Sequence, residues 1–178
     1  MKYLVVSDIH GSLYYANKIL ELMKNESIDK LILLGDLYYH GPRNPLPKEY
    51  NPMKVCELLN SLSDKLICIK GNCDAEVDEM ISNFKFNELY KLDINNKKFI
   101  FTHGHKYNID NKPEDFDILV YGHFHTGFIK EEDNKIFVNA GSMSLPKNNT
   151  KNSYLIIDES NICLKDLEDC NIIDSYKL

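Results

Sequence analysis

Five short apolar runs, each closing on residues that bind metal ions, restrict the folds open to this chain more than any other feature. YLVVS leads to Asp8 and His10, LILLG to Asp36, LICIKG to Asn72, FIFT to His103, and ILVYG to His123 and His125. Apolar runs of this length, bounded by glycine and polar residues, read as buried strands. In open α/β sheets, ligands gather outside the carboxyl ends of strands, so side chains distant in sequence converge there. The neighbouring glycines (Gly11, Gly35, Gly71, Gly104 and Gly122) permit the sharp turns and close backbone approach such ends require.

The first half alternates these runs with helical patterns. Strands are expected at Lys2–Ser7, Lys30–Gly35 and Lys65–Ile69. Between the first two, Leu13, Ala16, Ile19, Leu20 and Met23 recur at helical spacing behind Ser12, which is expected to cap the helix. A second helix is expected from Asn51-Pro52 and a shorter third after Asp74. This repetition predicts a parallel sheet with right-handed crossovers. The second half reads as short strands: Leu89–Ile94 and Lys98–Thr102 around an Asn95-Asn96-Lys97 hairpin, then Ile118–Tyr121, Gly127–Lys130, Lys135–Asn139, Tyr154–Asp158 and Ile162–Leu167. An α/β fold of two packed sheets with outer helices follows. Tyr38–Pro52 holds Pro42, Pro45, Pro47 and Pro52 and is expected to be an ordered loop over one face.

At 178 residues the chain suits a single domain spanning 1–178, since halving it would leave two marginal pieces. Hydrophobic content of 43% and charged content of 27% fit a folded globular protein. No stretch has the continuous apolar length needed to cross a bilayer. The segment MKYLVVSDIHG is too short in apolar residues for a signal peptide. The odd cysteine set (Cys56, Cys68, Cys73, Cys163, Cys170) has no C-x-x-C pair, which points to a reducing cytoplasm rather than a disulfide framework. A net charge of −6 argues against long nucleic acid, although bound cations can invert the local field for a phosphate substrate.

Carboxylate, imidazole and amide oxygen together suit manganese, iron, zinc, nickel or cobalt. Seven ligands (Asp8, His10, Asp36, Asn72, His103, His123, His125) exceed the needs of one tetrahedral ion and match two divalent ions sharing a carboxylate. Such a pair can clamp both ends of an in-line displacement at phosphorus around a bridging hydroxide.

The ordered set D-x-H, G-D, G-N-x-D, a lone histidine and G-H-x-H resembles the calcineurin-like metallophosphoesterase superfamily. SDIHGS, GDLYYHGPRNPLP, KGNCDAEVD, THGH, YGHFHT and NAGSMSLPK resemble its small bacterial phosphodiesterases of the YfcE type, through about Lys147. The resemblance implies a four-layer sandwich of two mixed β-sheets flanked by helices. It also assigns Asp8, His10 and His125 to one ion, Asn72, His103 and His123 to the other, and Asp36 to both, with manganese the expected metal. Small phosphodiesters are the implied substrates. The wider superfamily carries histidine where this chain has Cys73, and a thiol with an ordinary pKa near 8.5 is a weak proton donor. The expected catalytic set is therefore Asp36, Asn72, Cys73, Asp74 and His105, with a structural N-cap as the other reading of Asp74.

His40 and Arg43, in the proline-rich loop, are candidate substrate contacts; Arg43 offers a bidentate phosphate fork, or else pins its loop to an acidic neighbour. Cys56 and Cys68 are expected in the core. Tyr14, Tyr15, Tyr38 and Tyr39 are expected in the core or between copies of a homo-oligomer rather than stacked on a base. The competing function is a metal-binding protein-interaction scaffold, as in the retromer subunit of this fold, which has lost part of the ligand set. All seven positions are filled here, which favours an enzyme. A metallo-β-lactamase-type site would need H-x-H-x-D-H from His103, where the chain reads HGHKYN.

Overall fold

The computed structural model describes residues 1–178. The first βαβ repeats run β1 (Tyr3–Val6), α1 (Leu13–Asn25), β2 (Lys30–Leu33), α2 (Pro52–Asn60), β3 (Leu66–Ile69), α3 (Glu76–Ile81) and β4 (Phe86–Asn87). These four strands pair in parallel, in chain order. The Ser12 hydroxyl accepts from the Tyr15 N–H at 3.4 Å, and Asn51 caps α2 with Pro52 at its first position, as the sequence predicts.

A second sheet holds β5 (Tyr90–Ile94), β6 (Lys97–Phe101), β7 (Ile118–Tyr121), β8 (Phe128–Glu132) and β9 (Lys135–Asn139), in the order β5-β6-β7-β9-β8. The hairpin is tighter than expected: Asn95 and Asn96 alone make the turn, with φ of +48° and +60°, and Lys97 opens the next strand. The last strands, β10 (Ser153–Ile157), β11 (Asn161–Asp166) and β12 (Ile172–Lys177), return to the first sheet, where β10 pairs antiparallel with β1. That sheet therefore has seven strands, ordered β12-β11-β10-β1-β2-β3-β4. Both sheets are mixed.

Strand alternation divides the core into layers. Val5, Ile32, Ile69 and Leu155 meet Phe99, Phe101, Ile118 and Val138 between the sheets. Leu4, Val6, Leu31, Leu33 and Cys68 face the other way, onto Ala16, Ile19, Val55, Cys56 and Leu59 of α1 and α2. Central strands buried on both faces explain why these runs are continuously apolar rather than alternating. The outer face of the second sheet (Ile100, Leu119, Tyr121, Phe137) is covered by Phe116 and Ile109 from the helix-free segment 102–117. Helices thus flank the first sheet and a loop flanks the second. No helix is long and apolar enough to cross a membrane.

Candidate metal centre

The loops following β1, β2, β3, β6 and β7 meet at one end of the two sheets. Parallel pairing continues past β1 and β2 into their loops: the amides of Asp8, His10 and Gly11 donate to the carbonyls of Gly35, Asp36 and Leu37 at 3.1, 2.9 and 2.8 Å. Five of the seven predicted ligands adopt left-handed backbone: Asp8 (φ +56°), His10 (+51°), Asp36 (+56°), His123 (+65°) and His125 (+58°). Each such residue costs roughly 1–2 kcal/mol. Ten other non-glycine residues share this conformation in turns and loops elsewhere, but here five such residues converge on one largely buried polar cluster, where strain of this kind is held for function.

One cluster is formed by Asp8, His10 and His125. The Nδ1–H of His10 donates to the Tyr39 carbonyl at 2.8 Å, and that of His125 to the Leu145 carbonyl at 2.6 Å. A carbonyl only accepts, so each ring carries its proton on Nδ1 and presents a bare Nε2. Those two nitrogens lie 3.1 Å apart, and Asp8 Oδ1 lies 3.5 Å from one and 3.2 Å from the other. Asp8 Oδ1 is buried with no hydrogen-bond partner. Three acceptors facing one another without a donor suit a cation between them, so this donor set fits a divalent metal.

The second cluster is built on His103, whose Nδ1–H donates to the Leu34 carbonyl at 2.7 Å. Its Nε2 faces Asn72 Oδ1 at 3.0 Å and His123 Nδ1 at 3.2 Å. Burial, then the neighbouring His103, pushes His123 down to about 4, so that ring is neutral at pH 7. Asp36 spans the clusters: Oδ1 lies 3.5 Å from His103 Nε2 and Oδ2 lies 3.7 Å from His10 Nε2.

Surrounding groups fix this carboxylate. The Asp74 carboxylate accepts from the amides of Asp36 (2.9 Å) and Gly71 (2.7 Å) on one oxygen and of Leu37 (2.8 Å) on the other. Asp74 therefore neither lines the open site nor caps α3. The cap position is Ala75, whose N–H is taken by Asp78. This corrects both readings of Asp74, whose partners are the loop amides that set Asp36. A Cβ on Gly71 would lie 2.2 Å from Asp36 Oδ1, which is why glycine stands there. Behind Asp8, the hydroxyls of Ser142 and Ser144 both donate to its carbonyl at 2.8 Å.

A cleft of about 350 Å³ opens over Asp36, Asn72, His123 and His125. Its remaining wall includes Cys73, Tyr39, Arg43, Asn44 and Lys147. Burial, then the Asp36 charge, pushes the Cys73 thiol up to about 12, so it stays protonated at neutral pH. Its sulfur also stands within 4.8 Å of ligand atoms on His10 and Asp36. Arg43 lies in the cleft as expected and makes no ion pair, which rules out the loop-pinning reading. His40 is a correction: its ring packs edge-on between Tyr39 and Tyr50, outside the cleft wall. The same packing leaves Tyr39 44% exposed and facing the cleft, although core or subunit burial was expected for it. His105 is exposed beside the second cluster, its ring centroid 5.4 Å from that of His103. Lys147 and Asn44 were not singled out in the sequence, since each lies on a loop and belongs to no ligand motif. The usable cues were GDLYYHGPRNPLP, which holds Tyr39 and Asn44, and NAGSMSLPK, which ends in Lys147.

Comparison with known proteins agrees with this geometry. The calcineurin-like phosphoesterase superfamily domain matches residues 1–161. Phosphodiesterase YfcE of Escherichia coli is 39% identical over 176 residues, covering 97% of this chain and 96% of the relative. The solved structure of YfcE, a phosphoesterase from E. coli, superposes with a TM-score of 0.95 at 37% identity, covering 99% of this chain and 98% of the other. A Vps29 variant from Entamoeba histolytica has a TM-score of 0.68 at 22% identity over 100% and 99% of the two chains, a likeness of fold alone. From its domain match, its identity to a curated relative and the strand-end ligand loops, this chain belongs to the calcineurin-like phosphoesterase superfamily.

Proposed function

We propose that the protein hydrolyses small phosphodiesters with two divalent ions, manganese foremost and zinc, iron, nickel or cobalt as alternatives. Asp8, His10 and His125 would hold one ion, Asn72, His103 and His123 the other, and Asp36 both. As a calcineurin-like enzyme 39% identical to a phosphodiesterase, it is a metal-dependent phosphodiesterase. The observation that carries the two-ion reading is Asp36, which turns one oxygen towards each histidine cluster. When bound, two such ions supply Lewis acidity to phosphoryl oxygens and acidify a water at neutral pH.

The chain supplies orientation and selectivity. Three Nδ1–H bonds to backbone carbonyls lock the rings of His10, His103 and His125 with Nε2 inward. Asn72 and His123 stand at the cleft floor, where a phosphate oxygen would enter. Cys73, protonated and held high by burial, is a poor proton donor to a leaving alkoxide and is no thiolate nucleophile. Ester groups that leave without help are therefore favoured, and simple alkyl phosphomonoesters are poor substrates. Burial, then the neighbouring His103, lowers the pKa of His105, which stands beside the second cluster but outside the cleft wall and so corrects its reading as a catalytic group.

The test is a panel of phosphomonoesters, phosphodiesters and cyclic nucleotides on metal-stripped protein, with each divalent ion added back. Metal-restored turnover should favour diesters with good leaving groups. Turnover indifferent to metal would refute the reading, and none with any ion would leave the scaffold alternative. Cys73→His should shift preference towards monoesters; an unchanged diester-to-monoester ratio would remove Cys73 from the selectivity argument.

A further inference from the structure

Twenty-one basic residues occur in this chain, and Arg43 is the only arginine among them. It stands in the cleft wall with no carboxylate partner, as does Lys147 from a different loop. Both are held from behind. The Arg43 loop is tied down by Asn44 Nδ2 to the His40 carbonyl (2.8 Å), Leu13 N to the Glu49 carbonyl (3.0 Å) and Asn51 N to the Gly11 carbonyl (2.8 Å). The Lys147 amide donates to the carbonyl of His125 at 2.9 Å, and Thr150 Oγ1 donates to the Lys147 carbonyl at 2.8 Å. Two exposed cations without an ion-pair partner, on loops tied down by these bonds, share one small cleft in a chain whose net charge is −6.

A phosphodiester carries a single negative charge. Two divalent ions set against Asp8 and Asp36 already more than balance it, so a simple diester would leave Arg43 and Lys147 without a counter-charge. A planar guanidinium fork matches the paired oxygens of a phosphate or carboxylate, and an ammonium beside it adds charge without fixing geometry. Resting on the phosphodiesterase reading above, we infer that Arg43 and Lys147 form a second oxyanion subsite, so that the preferred substrate is a phosphodiester bearing a further phosphate or carboxylate on one arm.

The kinetic test uses p-nitrophenyl alkyl phosphodiesters whose arm ends in methyl, carboxylate or phosphate. The metal-loaded enzyme should prefer an anionic arm over the methyl arm at least tenfold in kcat/KM, and the better of the two anions identifies the group. Arg43→Gln and Lys147→Gln should each lower that preference at least fivefold, chiefly through KM, and Arg43→Lys should recover only part of it. No preference in the wild type, or an equal loss on all three substrates, would overturn the subsite.

A second readout needs no turnover. Inorganic phosphate binding to metal-stripped protein, followed by phosphorus NMR line broadening, should weaken at least fivefold in each glutamine variant. Unchanged broadening would also overturn the subsite. If no diester is hydrolysed at all, the phosphodiesterase reading fails while the binding measurement still decides the subsite.

Discussion

Replacing Asp74 by asparagine separates positioning from catalysis. In the wild type one oxygen accepts two amides and the other accepts one, at 2.7–2.9 Å, and the residue is only 6% exposed. Asparagine keeps one acceptor oxygen, so its least costly orientation turns the NH₂ onto the Leu37 amide. That leaves two buried donors facing each other unmet, the new NH₂ and the Leu37 N–H, at about 1–3 kcal/mol each, and makes the other two bonds neutral, at roughly 1 kcal/mol each. Burial, then the Asp36 charge, pushes the Asp74 carboxyl up to about 6, so removing that charge offsets part of the loss. A net cost of at least about 2 kcal/mol remains, equivalent to a Tm decrease of roughly 4–8 °C or more at this chain length. Thermal melts of loaded and metal-stripped protein, with metal affinity in parallel, give the assay. Asp74→Asn should lower both Tm and metal affinity. A collapse of kcat with Tm and metal affinity unchanged would show Asp74 acting on substrate and would refute the positioning argument.

Gly71→Ala should lower Tm by several degrees and reduce metal content together, because the added methyl meets Asp36 Oδ1 at 2.2 Å and overpacking of this kind costs about 1–3 kcal/mol. Wild-type metal content in that variant would contradict the close packing of the two loops. Far from the site, Glu26 accepts from Lys165 and, at 2.9 Å, from Lys2, bonds that hold its carboxyl below the ordinary 4.5. A lowered carboxyl stabilises the fold above its unfolded pKa and loses that contribution as pH falls through the folded value. Glu26→Gln should therefore be less stable than wild type at pH 7, and the difference should narrow as pH falls below 4.5; a difference constant from pH 7 to pH 3 would refute this.

The candidate ligand set was legible because each member lies within four residues of a strand end, and strands buried on both faces announce themselves as apolar runs. Caps at Ser12 and Asn51 were equally local. What escaped was long-range. β12 reads IIDSYK and is almost wholly exposed, so it shows neither a buried run nor a clean alternation. β4 is two residues long, which is below any pattern. The return of β10 to pair with β1 joins positions 150–154 residues apart, and hydrophobic periodicity says nothing about partner choice. Asp74 was misread for the same reason: two of its three amide partners, Asp36 and Leu37, lie 38 and 37 residues away. Lys147 and Tyr39 reach the cleft through loop geometry, which no spacing rule encodes.

The central claim is that two ions share Asp36. Titration of metal-stripped protein with manganese, read by calorimetry and checked by elemental analysis, tests it most directly. Two equivalents per chain should bind; His125→Ala should remove one of them, while Asp36→Asn should weaken both. Saturation at one equivalent, or an Asp36→Asn protein that loses a single site and keeps the other at wild-type affinity, would contradict the shared carboxylate.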